Sequence, residues 1–212
     1  DYFQLNLFHP NYIDSMIKHL YISFLLVILV PNILFSQSLM IPTEGRTITS
    51  LNGSWNSIID PYENGYYDYR YKPNPDGFFK NKQQEHRSDL IEYNFERSQN
   101  LNVPGDWNTQ RKELFFYEGT IWYQRYFDYN LAEDKRLFLW VGGANYEALA
   151  WLNGKKLGEH VGGFTPFWFE VTDLVNSSKN DIVFKVDNKR VREGVPTVNT
   201  DWWNYGGLTR DV

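Results

Sequence analysis

Asn153-Gly154 stands between Ala148-Leu149-Ala150-Trp151-Leu152 and Lys155-Lys156-Leu157. That arrangement admits little besides a β-hairpin. A two-residue turn matched to the strand twist needs positive φ at both central positions, and Asn-Gly supplies it at low steric cost. Similar punctuation recurs along the chain. Residues 46–51 run up to Asn52-Gly53, 55–59 up to Asp60-Pro61, and 136–141 up to Gly142-Gly143. Residues 120–127, 167–171 and 182–186 are further short runs rich in aromatic and β-branched side chains. Short strands with turn signals and no alternation with helices predict an all-β fold, an antiparallel β-sandwich.

The composition agrees. Aromatic residues make up 18% of the 212, a share suited to strands and to sugar or peptide surfaces. A formal net charge of -5 speaks against a duplex nucleic-acid partner. The chain has no Cys, which excludes disulfides, zinc–thiolate sites and cysteine nucleophiles.

The apolar run 20–30 has a different character. Met16-Ile17-Lys18-His19 precedes it, and Pro31 and then Ser36-Gln37-Ser38 follow. Basic start, apolar centre and small-residue exit predict a secretory signal over 16–38, and hence an exported protein. The run is short for a bilayer core of about 30 Å, so cleavage is the reading adopted over a retained anchor. Residues 1–15 lie upstream of the Met that would start such a signal, and they read as a non-native extension. Residues 39–212 then form one domain. Within it, 62–100 is polar and too long for an ordinary connection, so it reads as an inserted loop with a little helix near 88–92.

The usual catalytic constellations are missing. The four His show no metal-ligand spacing, and no nucleophile elbow or phosphate-binding loop appears. No metal or cofactor site is predicted. Asp201 is singled out by its neighbours, Asn199-Thr200-Asp201-Trp202-Trp203-Asn204-Tyr205-Gly206-Gly207. A carboxylate accepts hydrogen bonds from vicinal hydroxyls, and an aromatic face covers the C–H side of a sugar ring. The residues alone leave two readings open: a sugar contact, or an aromatic loop under the sandwich in which Asp201 caps a turn.

Five motifs in order carry a resemblance. They are Val103-Pro104-Gly105-Asp106-Trp107-Asn108, Tyr117-Glu118-Gly119-Thr120-Ile121-Trp122-Tyr123, Ala150-Trp151-Leu152-Asn153-Gly154 with its continuation to His160, Gly162-Gly163-Phe164-Thr165-Pro166-Phe167, and Asn204-Tyr205-Gly206-Gly207-Leu208-Thr209-Arg210. Together they resemble the N-terminal sugar-binding jelly roll of glycoside hydrolase family 2, which includes β-glucuronidases, β-galactosidases and β-mannosidases. The resemblance implies a retaining exo-β-glycosidase acting at the non-reducing end of a glycan, most like a β-glucuronidase and next a β-galactosidase. It implies further partners: an immunoglobulin-like domain and a catalytic (β/α)₈ barrel that carries both catalytic glutamates. A barrel needs about 250 residues, so the 212 residues here hold none, and residues 39–212 alone are expected to be inactive. No residue of this chain is assigned as acid/base or nucleophile. The resemblance makes Asp201, Trp202 and Asn204 the substrate-binding residues, facing a β-linked glycoside. It leaves homo-oligomerisation open. The rival is a stand-alone carbohydrate-binding module. It is disfavoured because residues 207–212 read as entering a strand rather than a polar tail.

Overall fold

The computed structural model describes residues 43–74, 77–79 and 93–212. The expected signal segment and the helix near 88–92 lie outside them. Among the described residues, ten strands and one α-helical turn, besides two short 3-10 turns, follow in order: β1 (Gly53–Asp60), β2 (Gln99–Val103), α1 (Trp107–Gln110), β3 (Thr120–Phe127), β4 (Phe138–Val141), β5 (Ala144–Asn145), β6 (Glu147–Leu152), β7 (Lys155–Val161), β8 (Phe167–Glu170), β9 (Asn180–Asp187) and β10 (Gly207–Leu208). A six-stranded antiparallel sheet has the order β2-β1-β3-β9-β6-β7. Two short pairs, β4-β8 and β10-β5, stand apart from it. The predicted all-β antiparallel sandwich is what the chain forms.

Side chains alternate across the large sheet, as strand geometry requires. Ile121 and Tyr123, Ile182, Phe184 and Val186, and Ala148, Ala150 and Leu152 enter one core, with Trp55, Leu139, Val141, Phe167 and Leu208. Trp122, Val183, Leu149 and Trp151 point to the opposite face and build a second core. Burial on both faces is why β3 reads as an unbroken apolar run and not as an alternation. The Asn153-Gly154 turn is as predicted, with φ of 52° and 80°. β7 closes one edge of the sheet and carries Lys155, Lys156 and Glu159, charges that discourage further strand pairing.

Two expectations need correction. Residues 46–51 form no strand. Ile48 is exposed and finds no core, and the sheet begins at Gly53. Leu51 N–H instead donates to the Val212 carbonyl at 2.8 Å, and Asn52 Nδ2 donates to Asp211 at 2.9 Å. The stretch 62–100, read as an inserted loop, also contributes to the sheet and to a core. Gln99 and Asn100 already belong to β2, paired with β1. Phe78, Phe79 and Phe95 cover the second core, with Phe79 5.2 Å from Trp122 and Phe78 5.3 Å from Trp151 between ring centroids.

Asp60 anchors this cover. Its carboxylate is fully buried and accepts from Asn64 N–H (3.0 Å), Gly65 N–H (2.9 Å), Tyr93 hydroxyl (2.8 Å) and Trp122 Nε1 (2.9 Å). Nearby, the buried Lys185 meets Glu63 at 2.7 Å, and Lys189 reaches the same carboxylate at 3.1 Å. Burial pushes the Glu63 carboxyl up. The hydrogen bonds and charges of the two lysines outweigh that and hold it below the ordinary range.

Asp60→Asn turns one acceptor into a donor facing buried N–H groups. It should cost about 2–4 kcal/mol in denaturant unfolding, and tryptophan emission should report exposure of Trp122. Glu63 gives a pH signature. Its folded pKa is depressed, so its contribution is complete above the unfolded value of about 4.3 and is lost as pH falls through the lower folded value. Glu63→Gln should be about 3 kcal/mol less stable at pH 7 and should lose part of the acid-side fall in Tm seen in the wild type.

Candidate functional site

The motifs at 103–108, 117–123 and 204–210 meet at one end of the sandwich, whereas the Asn153-Gly154 turn lies at the opposite end of β6, beside Asp181. Asp106 accepts from Thr109 N–H at 2.7 Å and so caps α1, an ordinary role for Asp before a helical turn. That turn buries Trp107 and Asn108. Trp107 N–H donates to the Gly206 carbonyl at 2.9 Å, and Gly105 N–H to the Leu208 carbonyl at 2.9 Å. Asn108 Oδ1 accepts from Gly206 N–H at 2.9 Å, while its Nδ2 donates to the Leu114 and Tyr117 carbonyls. The segment 103–108 and the segment 204–208 are therefore two sides of one clasp. Gly206 lies against the Trp107 indole so closely that a Cβ there would overlap the ring.

Three more asparagines complete the hold. Asn145 Nδ2 donates to the Tyr205 carbonyl and, at 3.2 Å, to Asn204 Oδ1. Asn204 Nδ2 donates to the Asn188 carbonyl, and Asn188 Nδ2 returns a bond to the Asn204 carbonyl at 2.8 Å. Asn188 Oδ1 accepts from Gly119 N–H at 2.8 Å.

On this base sits the loop that carries the nominated residues. Asp201 is exposed, and among the described residues no donor reaches its carboxylate. It caps no turn. Trp202 is also exposed, at 68%, with its indole open to solvent. Asn204 is placed differently. It is buried and both ends of its amide are taken, so it ties the loop down from beneath. Trp203 packs beside Phe115 (4.7 Å) and Phe116 (5.4 Å). With Tyr205 they leave an aromatic rim partly open to water.

Other features have structural roles. Trp107 and Trp122 are fully buried. In the stretch 163–167, Phe167 enters the core but Phe164 stays exposed, so only one aromatic turns inward. His160 stacks on Phe167 at 4.3 Å, and burial lowers its pKa. Arg210 donates to the Phe164 carbonyl at 3.2 Å. Among the described residues, no three His, Asp or Glu side chains converge as a metal centre would require.

Residues 48–212 match the family described as glycosyl hydrolases family 2, sugar binding domain. The chain belongs to glycosyl hydrolases family 2. Relatives in that family have a common description. A putative β-glucuronidase of Formosa agariphila is 34% identical over 119 residues, covering 54% of this chain and 14% of that protein. The β-glucuronidase of Rattus norvegicus is 29% identical over 199 residues, covering 80% of this chain and 28% of the relative. Among solved structures, the β-glucuronidase of an uncultured Clostridium sp. superposes with a TM-score of 0.59 at 28% identity, over 81% of this chain and 29% of that one. The Bifidobacterium dentium β-glucuronidase complexed with coumarin-3-O-glucuronide gives 0.61 at 25% identity, over 81% and 30%. The chain thus spans less than a third of the length of these family 2 relatives.

Sequence reasoning missed the residues that hold the loop: Asn145, Asn188 and Arg190, whose guanidinium donates to the Thr200 and Trp202 carbonyls. Each is short of local signal. Asn188 and Arg190 follow β9 in an unremarked polar stretch, and their partners lie far along the chain.

The clasp gives a direct test. Gly206→Ala should destabilise the domain by about 3 kcal/mol or more, because the Trp107 indole has no room to retreat in a fully packed core. Chemical denaturation should show this loss.

Proposed function

We propose that this domain forms the glycone wall of an exported, retaining exo-β-glycosidase of the β-glucuronidase type. One observation carries the reading. On a rim loop fixed from below, the Asp201 carboxylate faces solvent with no partner of its own among the described residues, beside the open indole of Trp202. A carboxylate left unpaired on a held loop is free to accept from vicinal sugar hydroxyls, and the indole face suits the C–H side of the ring. The named relatives support glucuronides over galactosides as substrate.

In this reading the chemistry belongs to a barrel beyond these residues. Two carboxyl groups about 5–5.5 Å apart there would form a glycosyl-enzyme intermediate and resolve it with water. The present chain contributes position. Asp201 holds the non-reducing-end sugar by its hydroxyls, Trp202 shields one face, and Asn204 keeps the loop at its height.

Asp201→Asn in the enzyme carrying this domain preserves side-chain size and removes a charge. A hydrogen bond to a charged acceptor is worth about 1.5–3 kcal/mol, so kcat/KM for an aryl β-glucuronide should fall roughly ten- to hundredfold. Tm should stay within about 1 °C, because the native carboxylate holds nothing in the fold. Unchanged kcat/KM would remove Asp201 from the sugar contact.

A further inference from the structure

Above its asparagine base, the loop bearing Asp201 is gripped on both sides of that residue by Arg190. Arg190 Nη1 donates to the Thr200 carbonyl at 2.6 Å and lies 3.3 Å from the Thr200 hydroxyl. Arg190 Nη2 donates to the Trp202 carbonyl at 2.9 Å. The two carbonyls that receive the guanidinium fork belong to the residues on either side of Asp201. The third face of the guanidinium is also used: Nε donates to Glu118 at 2.9 Å. Glu118 is itself set beside a fixed point, because Gly119 N–H is bonded to Asn188 Oδ1. Thr200 closes the loop on itself through the Thr197 carbonyl at 3.1 Å.

From this geometry we infer that Arg190, braced by Glu118, is the positioning residue that fixes the height and direction of Asp201. The inference rests on the reading of Asp201 as a sugar contact. A planar guanidinium presents its donors in a rigid fork that fixes two carbonyls in one geometry, whereas an ammonium offers rotatable donors on a flexible stem. Fixing both neighbours of Asp201 removes backbone freedom before the sugar arrives, so less ordering remains to be done on binding. The ion pair with Glu118 sets the rotation of the fork. Arg190 does not need to touch the sugar for this role.

A double-mutant cycle in the enzyme carrying this domain, combined with hydrogen exchange, tests the inference. Arg190→Met should speed amide exchange at 198–203 and lower kcat/KM roughly tenfold. Arg190→Lys should restore little of either, since it keeps the charge and loses the fork. If Arg190 works through Asp201, Arg190→Met combined with Asp201→Asn should be no slower than the worse single variant. Unchanged exchange at 198–203 in Arg190→Met would overturn the clamp. Losses that multiply in the double variant would overturn its action through Asp201. A silent Asp201→Asn would bring down the sugar-contact reading itself, and the positioning role with it, whatever the exchange showed.

Discussion

Four buried asparagines carry the part of the structure that matters for recognition. Asn108, Asn145, Asn188 and Asn204 are each at least nine-tenths removed from solvent. Between them they bond backbone groups from the segments after β2 and β9 and from the return into β10. An amide suits this task because it offers donors and an acceptor at once without charge; both ends are used in Asn108, Asn188 and Asn204, while the Asn145 Oδ1 is buried without a partner among the described residues. With Trp107 packed against Gly206, the amides make the base of the rim loop part of the core. The exposed Asp201 and Trp202 can then be held in place without a pocket of their own.

The two halves of the sandwich follow different rules. The face towards β4, β5, β8 and β10 is filled by aliphatic and aromatic side chains from regular strands. The other face is covered by an irregular segment pinned through Asp60 and the Glu63–Lys185 pair. Buried polar groups of this kind are costly when any partner is lost. The irregular cover is thereby tied to one register on the sheet.

Much of this was legible where the signal is local. The Asn153-Gly154 hairpin and the run of β3 follow from a few adjacent residues; β3 and β6 lie within a residue of where the pattern puts them, while β7 runs four residues past Leu157. The second core was not legible. Phe78, Phe79 and Phe95 are spaced irregularly among Lys, Asn and Asp, and no period marks them as facing Trp122. Residues 46–51 show the converse. Their alternation is strand-like, but with no sheet edge and no core to receive Ile48, pattern alone did not make a strand. At the site, Asp201 and Trp202 stood out because polar and aromatic types are adjacent. Arg190 did not, because its partners lie ten, twelve and seventy-two positions away.

The strand order has a kinetic consequence. Among the described residues, β6 and β7 are the only neighbours in the large sheet joined by a tight turn. β3 must find β9, and β1 must find β3, across long stretches of chain. Closing long loops before any contact rewards them makes such a sheet slow to assemble. Until the segment after Asp60 folds back over the sheet, Trp122 and Trp151 face water on a partly formed sheet. The interval between pairing of the central strands and arrival of their cover is when a nascent chain is most exposed to sticking to its neighbours. Its length is set by loop closure more than by the final stability of the fold.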